Sequence, residues 1–365
     1  MTNSRSTVTL TETVRMVRPV SERHVTSPIA LCDDAGNLNR AAVGWSEKPR
    51  HHLNFQGRNW RRKRYDAWGV QCGPWYFCGA VVNLGYAGYG FAFLLDIERR
   101  ELHERSCLNP LGRGAELAEE VGGGSSITGK GLSFRTQPYG SREMDSGLTQ
   151  GMNLTAAAKL RDGRTLKCDL RVAYAPNLQT MNVVIPWNER QFHFTCKQNA
   201  LPVSGTMSIG DQTIVVRPEE SAAWLDFGRG IWPYRSHWNW TIGTSVAGGR
   251  RVGFNLGSGW TDGTGMTENA LYIDGKVEKL AEPVNFRYNP RRIMEPWEVR
   301  TEGSERVRLT FEPLFDRYDA SNLLIVRSQL HQLIGRYHGT IVSAAGERIA
   351  IENVIAVAEE HFARW

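Results

Sequence analysis

The segment from Trp224 to Trp240 places six aromatic residues in seventeen positions around one carboxylate, Asp226, and two arginines, Arg229 and Arg235. In an extended strand successive side chains alternate between faces, so Trp238 and Trp240 share one wall. A buried indole needs a partner for its N–H, so these tryptophans read either as core or as the lining of a site. The following stretch, Gly253 to Lys276, adds Asn255, Trp260, Asp262, Glu268, Asn269, Tyr272 and Asp274. The same alternation puts Glu268, Ala270 and Tyr272 together. A carboxyl drawn into an aromatic cavity has its pKa raised toward neutrality, which is how a general acid is made. Glu268, Asp226 and Asp262 are therefore the candidate catalytic groups. Trp232, Trp238, Trp240, Asn255, Tyr272 and Arg229 are the candidate ligand contacts. Asp226 and Arg229 can alternatively form a structural clasp that braces the rim.

These residues must be positioned by strands. Short apolar runs separated by turn residues dominate the chain. WYFCGAVVNLGYAGYGFAFLLDI (75 to 97) gives two strands around a glycine-rich turn, and Asp162-Gly163 between LTAAAKL and RTLKCDLRV is a strong hairpin signal. Helical periodicity is scarce. RGAELAEEV (113 to 121) is the best helix candidate, and SNLLIVRSQLHQLIGRY (321 to 337) fits helix or strand. The expected fold is all-β, of barrel or sandwich type, with few short helices. FLLDIERREL (93 to 102) and LYIDGKVEKL (271 to 280) hint at an internal duplication. The expected division is a basic N-terminal arm with the first strands (1–57), an N-terminal β-domain (58–199) and a C-terminal β-domain (200–365).

The chain has 365 residues and a net charge of +6. Residues 1 to 64 hold 12 Lys and Arg against 5 Asp and Glu, so the rest of the chain is close to neutral. RNWRRKR (58 to 64) reads as a solvated basic face rather than a nucleic-acid footprint. No apolar run of signal-peptide or membrane-spanning length is present, so a cytoplasmic protein is expected. The six cysteines show no CxxC pair and read as reduced and buried, and no HExxH motif appears. GSSITGKG (124 to 131) nearly matches a phosphate loop, but Gly131 replaces the magnesium-binding hydroxyl, so it reads as a flexible loop. No cofactor or metal is implied.

LDFGRGIWPYRSHWNW, GFNLGSGWTDGTGMTENALYIDGK, TCKQNALPVSGT and AEEHFARW resemble the bacterial domain of unknown function 2804 family, from about Arg58 to Trp365. More distantly the chain is similar to the lipocalin-like (calycin-like) group that includes carotenoid hydratases and related cyclases. That resemblance implies two barrel-like β-domains around an apolar ligand cavity, and a carboxylic acid that protonates an alkene. The expected function is acid–base chemistry of hydratase, isomerase or cyclase type on an apolar or isoprenoid-like small molecule, with Glu268 or Asp226 as donor. A non-catalytic carrier of hydrophobic ligands and a carbohydrate-active enzyme with paired carboxylates are the alternatives.

Overall fold

The computed structural model describes residues 21–55, 57, 60–141, 148–247, 249–323 and 326–364. Most of the N-terminal basic arm's first half (1–20), Arg58, Asn59 and Trp365 lie outside the described residues. Nearly every element is a strand, in two large curled antiparallel sheets.

The first sheet opens with a meander of β1 (Arg62–Cys72), β2 (Trp75–Asn83), β3 (Ala87–Asp96) and β4 (Glu101–Pro110). It continues through β5 (Gly151–Lys159), β6 (Thr165–Ala173), β7 (Met181–Pro186), the long β8 (Phe192–Ile209) and β9 (Ser221–Ile231). β9 is the seam: it pairs with β1 on one side and β8 on the other. The second sheet holds β10 (Arg235–Ala247), β11 (Arg250–Ser258), β12 (Ala270–Ile273), β13 (Lys276–Lys279), β14 (Val307–Leu323), β15 (Val326–Val342) and β16 (Arg348–Arg364). The chain passes between sheets at Trp232–Tyr234, and residue 200 lies within β8 at a register shift between Gln198 and Leu201.

The period-2 pattern explains this arrangement. Alternate residues of the first sheet, among them Trp68, Phe194, Cys196, Leu225 and Phe227, fill its concave interior, and Phe254, Trp297, Phe311 and Tyr337 do so in the second. The convex faces meet over a third core, where Tyr76, Phe91, Phe93 and Trp224 pack on Trp240, Ile242, Ile334 and Val357. Both barrel interiors are thus packed with side chains, and the polar residues discussed below lie between the sheets. Asp162-Gly163 closes the β5–β6 hairpin with Gly163 at φ +89°, a conformation glycine adopts without steric cost. The two echo segments form the β3–β4 and β12–β13 hairpins, each at the edge of its sheet and each closing a four-stranded meander.

Three expectations are corrected. RGAELAEEV contains a strand, Ala115–Leu117, and no helix, because edge pairing with Ser125–Gly129 competes successfully with its helical pattern. That partner strand and Leu132–Tyr139 turn GSSITGKG from a loop into a hairpin. The basic run is not a solvated face: Arg62 and Lys63 are buried at the start of β1. Arg62 pairs with Glu119, while Lys63 donates to the Leu84 carbonyl at 3.0 Å and lies 4.3 Å from the Tyr86 ring centroid. Burial lowers Lys63 to about 8, with Arg61 adding to the shift. The 321–337 segment is strand in the described residues, and all six cysteines are free and buried.

Candidate functional site

The β8–β9 register sets Lys197 directly opposite Asp226, on the face that looks toward the second sheet. Lys197 is buried, with Nζ 2.6 Å from Asp226 Oδ1 and 3.0 Å from Glu268 Oε2. The same nitrogen lies 5.4 Å from the Trp240 ring centroid. Burial works against the ammonium, but the charges of Asp226 and Glu268 outweigh it and raise its pKa. Burial raises Glu268 in turn, opposed by Lys197 and reinforced by the negative Asp226. One cation therefore serves two carboxylates, and burial favours the protonated form of Glu268.

A hydrogen-bonded chain leads into Asp226 from the first sheet. Tyr65 of β1 donates its hydroxyl to Asp226 Oδ1 at 3.1 Å, and the Tyr65 oxygen lies 3.5 Å from His193 Nε2. Trp232 Nε1 donates to His193 Nδ1 at 3.0 Å. An indole N–H can only donate, so Nδ1 is the acceptor and the imidazole proton sits on Nε2, facing Tyr65. Burial, with Lys197 and Arg229 nearby, holds His193 well below its ordinary pKa and keeps it neutral. Donors thus run in one direction, from Trp232 through His193 and Tyr65 to Asp226. Gly228 makes this possible: a Cβ there would lie 2.2 Å from a Tyr65 ring carbon and 2.6 Å from His193 Cε1.

The second sheet supplies the facing wall. Trp238 and Trp240 share one face of β10, and Glu359 of β16 stands opposite Trp240. Trp240 Nε1 donates to Asn255 Oδ1 at 3.0 Å, Asn255 Nδ2 donates to the Glu268 carbonyl at 2.6 Å, and the Tyr272 hydroxyl donates to the Lys197 carbonyl at 3.1 Å. Asn255 and Tyr272 therefore hold the two sheets' charged groups in register. Glu359 accepts from Gln332 at 2.8 Å and from Trp238 Nε1 at 3.3 Å, and burial raises its pKa. Within this cluster His193, Lys197 and Trp240 are buried, whereas Tyr65, Asp226, Trp238, Trp260 and Glu359 keep partial exposure. Those five are the members of the cluster that solvent still reaches.

The family model called Domain of unknown function (DUF2804) matches residues 22–365. The chain belongs to this family. No protein of curated function matches it. Among solved structures it is similar to an AttH-type protein from Nitrosomonas europaea, at 12% identity and TM-score 0.49 over 84% of this chain and 93% of that one. Kievitone hydratase from Nectria haematococca follows at 10% identity and TM-score 0.45, covering 83% and 88%. CghA with Sch210972 shows 11% identity and TM-score 0.42, covering 82% and 88%. Likeness at this level carries no argument about activity. Among the described residues no group of three or more His, Cys, Asp or Glu is placed to hold a metal, and no helix is long and apolar enough to cross a membrane.

In this DUF2804 member seven of the nine expected site residues converge: Asp226, Glu268, Trp232, Trp238, Trp240, Asn255 and Tyr272. Two do not. Arg229 lies inside the first barrel, paired with Asp66 at 2.8 Å, so the expected Asp226–Arg229 clasp is absent. Residues three apart in a strand point to opposite faces, and Asp226 takes Lys197 instead. Asp262 is exposed in the turn after β11 and accepts the Gly259 N–H at 3.1 Å. Tyr65, His193, Lys197 and Glu359 were not among the expected residues. A lysine at an interior position of the apolar run FHFTCKQNA was the available signal. Its partners, far away in sequence, were not.

Proposed function

We propose that the cluster between the sheets is an acid–base site acting on an apolar or amphipathic small molecule, in the manner of a hydratase, isomerase or cyclase. In this reading the two sheets act as two domains, and the ligand enters the crevice between them. The observation that carries it is Lys197 clamped between Asp226 and Glu268, with Asp226 also accepting from Tyr65 and partly exposed. A proton donor and a proton acceptor then stand side by side. Glu268, raised by burial, gives a proton to a carbon–carbon double bond, and Asp226, through Tyr65, takes one from the attacking water or from an adjacent carbon. The protons balance within the pair, and Lys197 holds the intermediate negative charge.

Trp238 presents an aromatic face to any cation that develops, an attraction worth up to about 2 kcal/mol when desolvated. Glycoside cleavage gains no support, because it needs two carboxyls roughly 5 to 9.5 Å apart with the scissile bond between them. Here an ammonium bridges the two. Six free, buried cysteines suit a cytoplasmic setting.

Native mass spectrometry of the purified protein identifies the molecule that co-purifies, and liquid chromatography follows its conversion by wild type, Asp226→Asn and Glu268→Gln. Conversion by wild type that drops at least about 100-fold in both variants supports the enzyme. Retention of the ligand with no conversion by any form makes the protein a carrier.

A further inference from the structure

Trp260 sits in a box of rings. Its centroid lies 4.6 Å from Trp187, 5.2 Å from His193, 5.3 Å from Trp232 and 5.5 Å from Trp238, with interplanar angles of 82°, 80°, 85° and 70°. Four rings stand nearly upright to one flat indole, so the slot it fills is walled by aromatic rings. The other three tryptophans are tied down by their N–H groups: Trp187 to the Trp260 carbonyl at 3.0 Å, Trp232 to His193 and Trp238 to Glu359. The Trp260 indole N–H has no hydrogen-bond partner among the described residues, and the side chain keeps partial exposure. Trp260 is carried on a turn, residues 260–265, flanked by Gly259 at φ +82° and containing Gly263 at +76° and Gly265 at +78°. Among the described residues, the hydrogen bond that reaches Trp260 from another part of the fold is the Trp187 N–H to its carbonyl.

We propose that the Trp260 indole occupies the seat of the ligand, and that this ligand is a flat conjugated ring system with a hydroxyl or carbonyl on its edge, which enters by displacing Trp260. The inference rests on the acid–base reading for the location of chemistry, since His193, one wall of the slot, is the residue whose Nε2 faces Tyr65 and Asp226. A planar ring repeats the four edge-to-face contacts that the indole makes. A saturated ring of the same skeleton is thicker and meets the upright rings with hydrogens rather than a π face. Because Trp260 must leave first, the apparent dissociation constant is the intrinsic one divided by the fraction of open molecules. Anything that loosens the Trp260 turn tightens binding.

The experiment uses the full chain labelled with 5-fluorotryptophan, the Trp260 fluorine signal being assigned by its loss in Trp260→Phe. The probes are 2-naphthol and its saturated counterpart decahydro-2-naphthol. The expected result is that 2-naphthol moves the Trp260 signal to a solvent-exposed position and the saturated probe leaves it in place. By calorimetry, Trp187→Phe, which keeps an aromatic ring and removes the N–H bonded to the Trp260 carbonyl, binds 2-naphthol about 3-fold tighter than wild type and gains nothing for the saturated probe. A Trp260 signal unmoved by 2-naphthol, or moved alike by both probes, overturns the proposal, as does an unchanged affinity in Trp187→Phe. Asp226→Asn gives the same Trp260 response as wild type. If that holds while turnover survives in Asp226→Asn, the acid–base reading falls and the ligand seat stands.

Discussion

Strand β9 carries two buried ion pairs three residues apart, and they differ in kind. On its concave face Arg229 pairs with Asp66, gives Nη2 and Nε to the Ala118 carbonyl at 2.6 and 3.2 Å, and gives Nη1 to the Tyr65 and Gly228 carbonyls at 2.8 Å each. Its guanidinium lies 3.7 Å from the Phe227 ring centroid. One cation meets one anion, and the remaining donors go to backbone oxygens that would otherwise be stranded. On the convex face one ammonium meets two carboxylates, with a phenol and a neutral imidazole in line behind them. Burial of charge is common to both, so burial does not identify a site. The difference lies in stoichiometry and in the partners: carbonyls cannot exchange protons, whereas carboxyls, a phenol and an imidazole can.

The sharpest way to break this comparison is to remove each cation in turn. Arg229→Met leaves Asp66 without its counter-charge in a packed interior and is expected to cost about 3 to 5 kcal/mol in urea unfolding. Lys197→Met is expected to cost about 2 kcal/mol, because Asp226 keeps the Tyr65 hydroxyl and Glu268 is free to hold a proton. That smaller cost grows with pH as Glu268 ionises. Equal, pH-independent losses in the two variants would make both clusters structural.

Activity separates the two faces next. Asp226→Asn keeps the shape of the cluster and is expected to lower turnover of the co-purified ligand by at least about 100-fold, while shifting stability by no more than about 1 kcal/mol. Asp66→Asn is expected to do the reverse, costing stability and leaving turnover per folded molecule unchanged. A turnover loss in Asp66→Asn equal to that in Asp226→Asn would erase the distinction.

The pH dependence of stability sharpens it further. Glu268 has a folded pKa above its ordinary value of 4.5, so between that value and the raised one the folded state binds more protons than the unfolded state. Its contribution is present at low pH and is lost as pH rises through that window, with a slope of at most about 1.4 kcal/mol per pH unit. Glu268→Gln is expected to flatten this fall. His361 runs the other way. Burial, with His237 adding to the shift, lowers it to about 3, so its contribution is intact above 6.5 and is lost as pH falls from 6.5 toward 3. His361→Gln is expected to reduce the acid-side loss, read in urea titrations at stepped pH.

Much of this architecture was legible in the sequence because strands and hairpins are local. Asp162-Gly163 placed a hairpin correctly, and the period of two put Trp238 with Trp240, whereas Glu268 precedes strand β12 and comes near Tyr272 through Lys197. The same rule, applied to Asp226 and Arg229, separates them, although nearness in sequence favours a clasp. The pairings that make the site were not legible. Lys197 meets Asp226 through the β8–β9 register, and Glu359 reaches the Trp238 indole from 121 residues further along the chain. Register between distant strands is decided by the packing of whole faces, and no short motif encodes it.

Asp262 tests the comparison at its weakest point, because it is a carboxylate near the tryptophans that belongs to neither cluster. Its side chain accepts the Gly259 N–H and its own N–H returns to the Gly259 carbonyl at 3.3 Å, so it closes the turn on which Trp260 rides. Its side chain is exposed and is engaged in closing the turn rather than in the Lys197 cluster. Asp262→Asn retains the accepting oxygen, and the expected change is within about 0.5 kcal/mol in stability, with turnover at the wild-type level. Asp262→Ala removes the acceptor and loosens the turn. By the argument that makes Trp260 a movable occupant, it should tighten 2-naphthol slightly without changing the chemical step, a split that calorimetry and single-turnover rates measure separately. A large turnover loss in Asp262→Asn would mean that the acid reaches the ligand from the turn, and the Lys197 cluster would then be structural like its neighbour across β9.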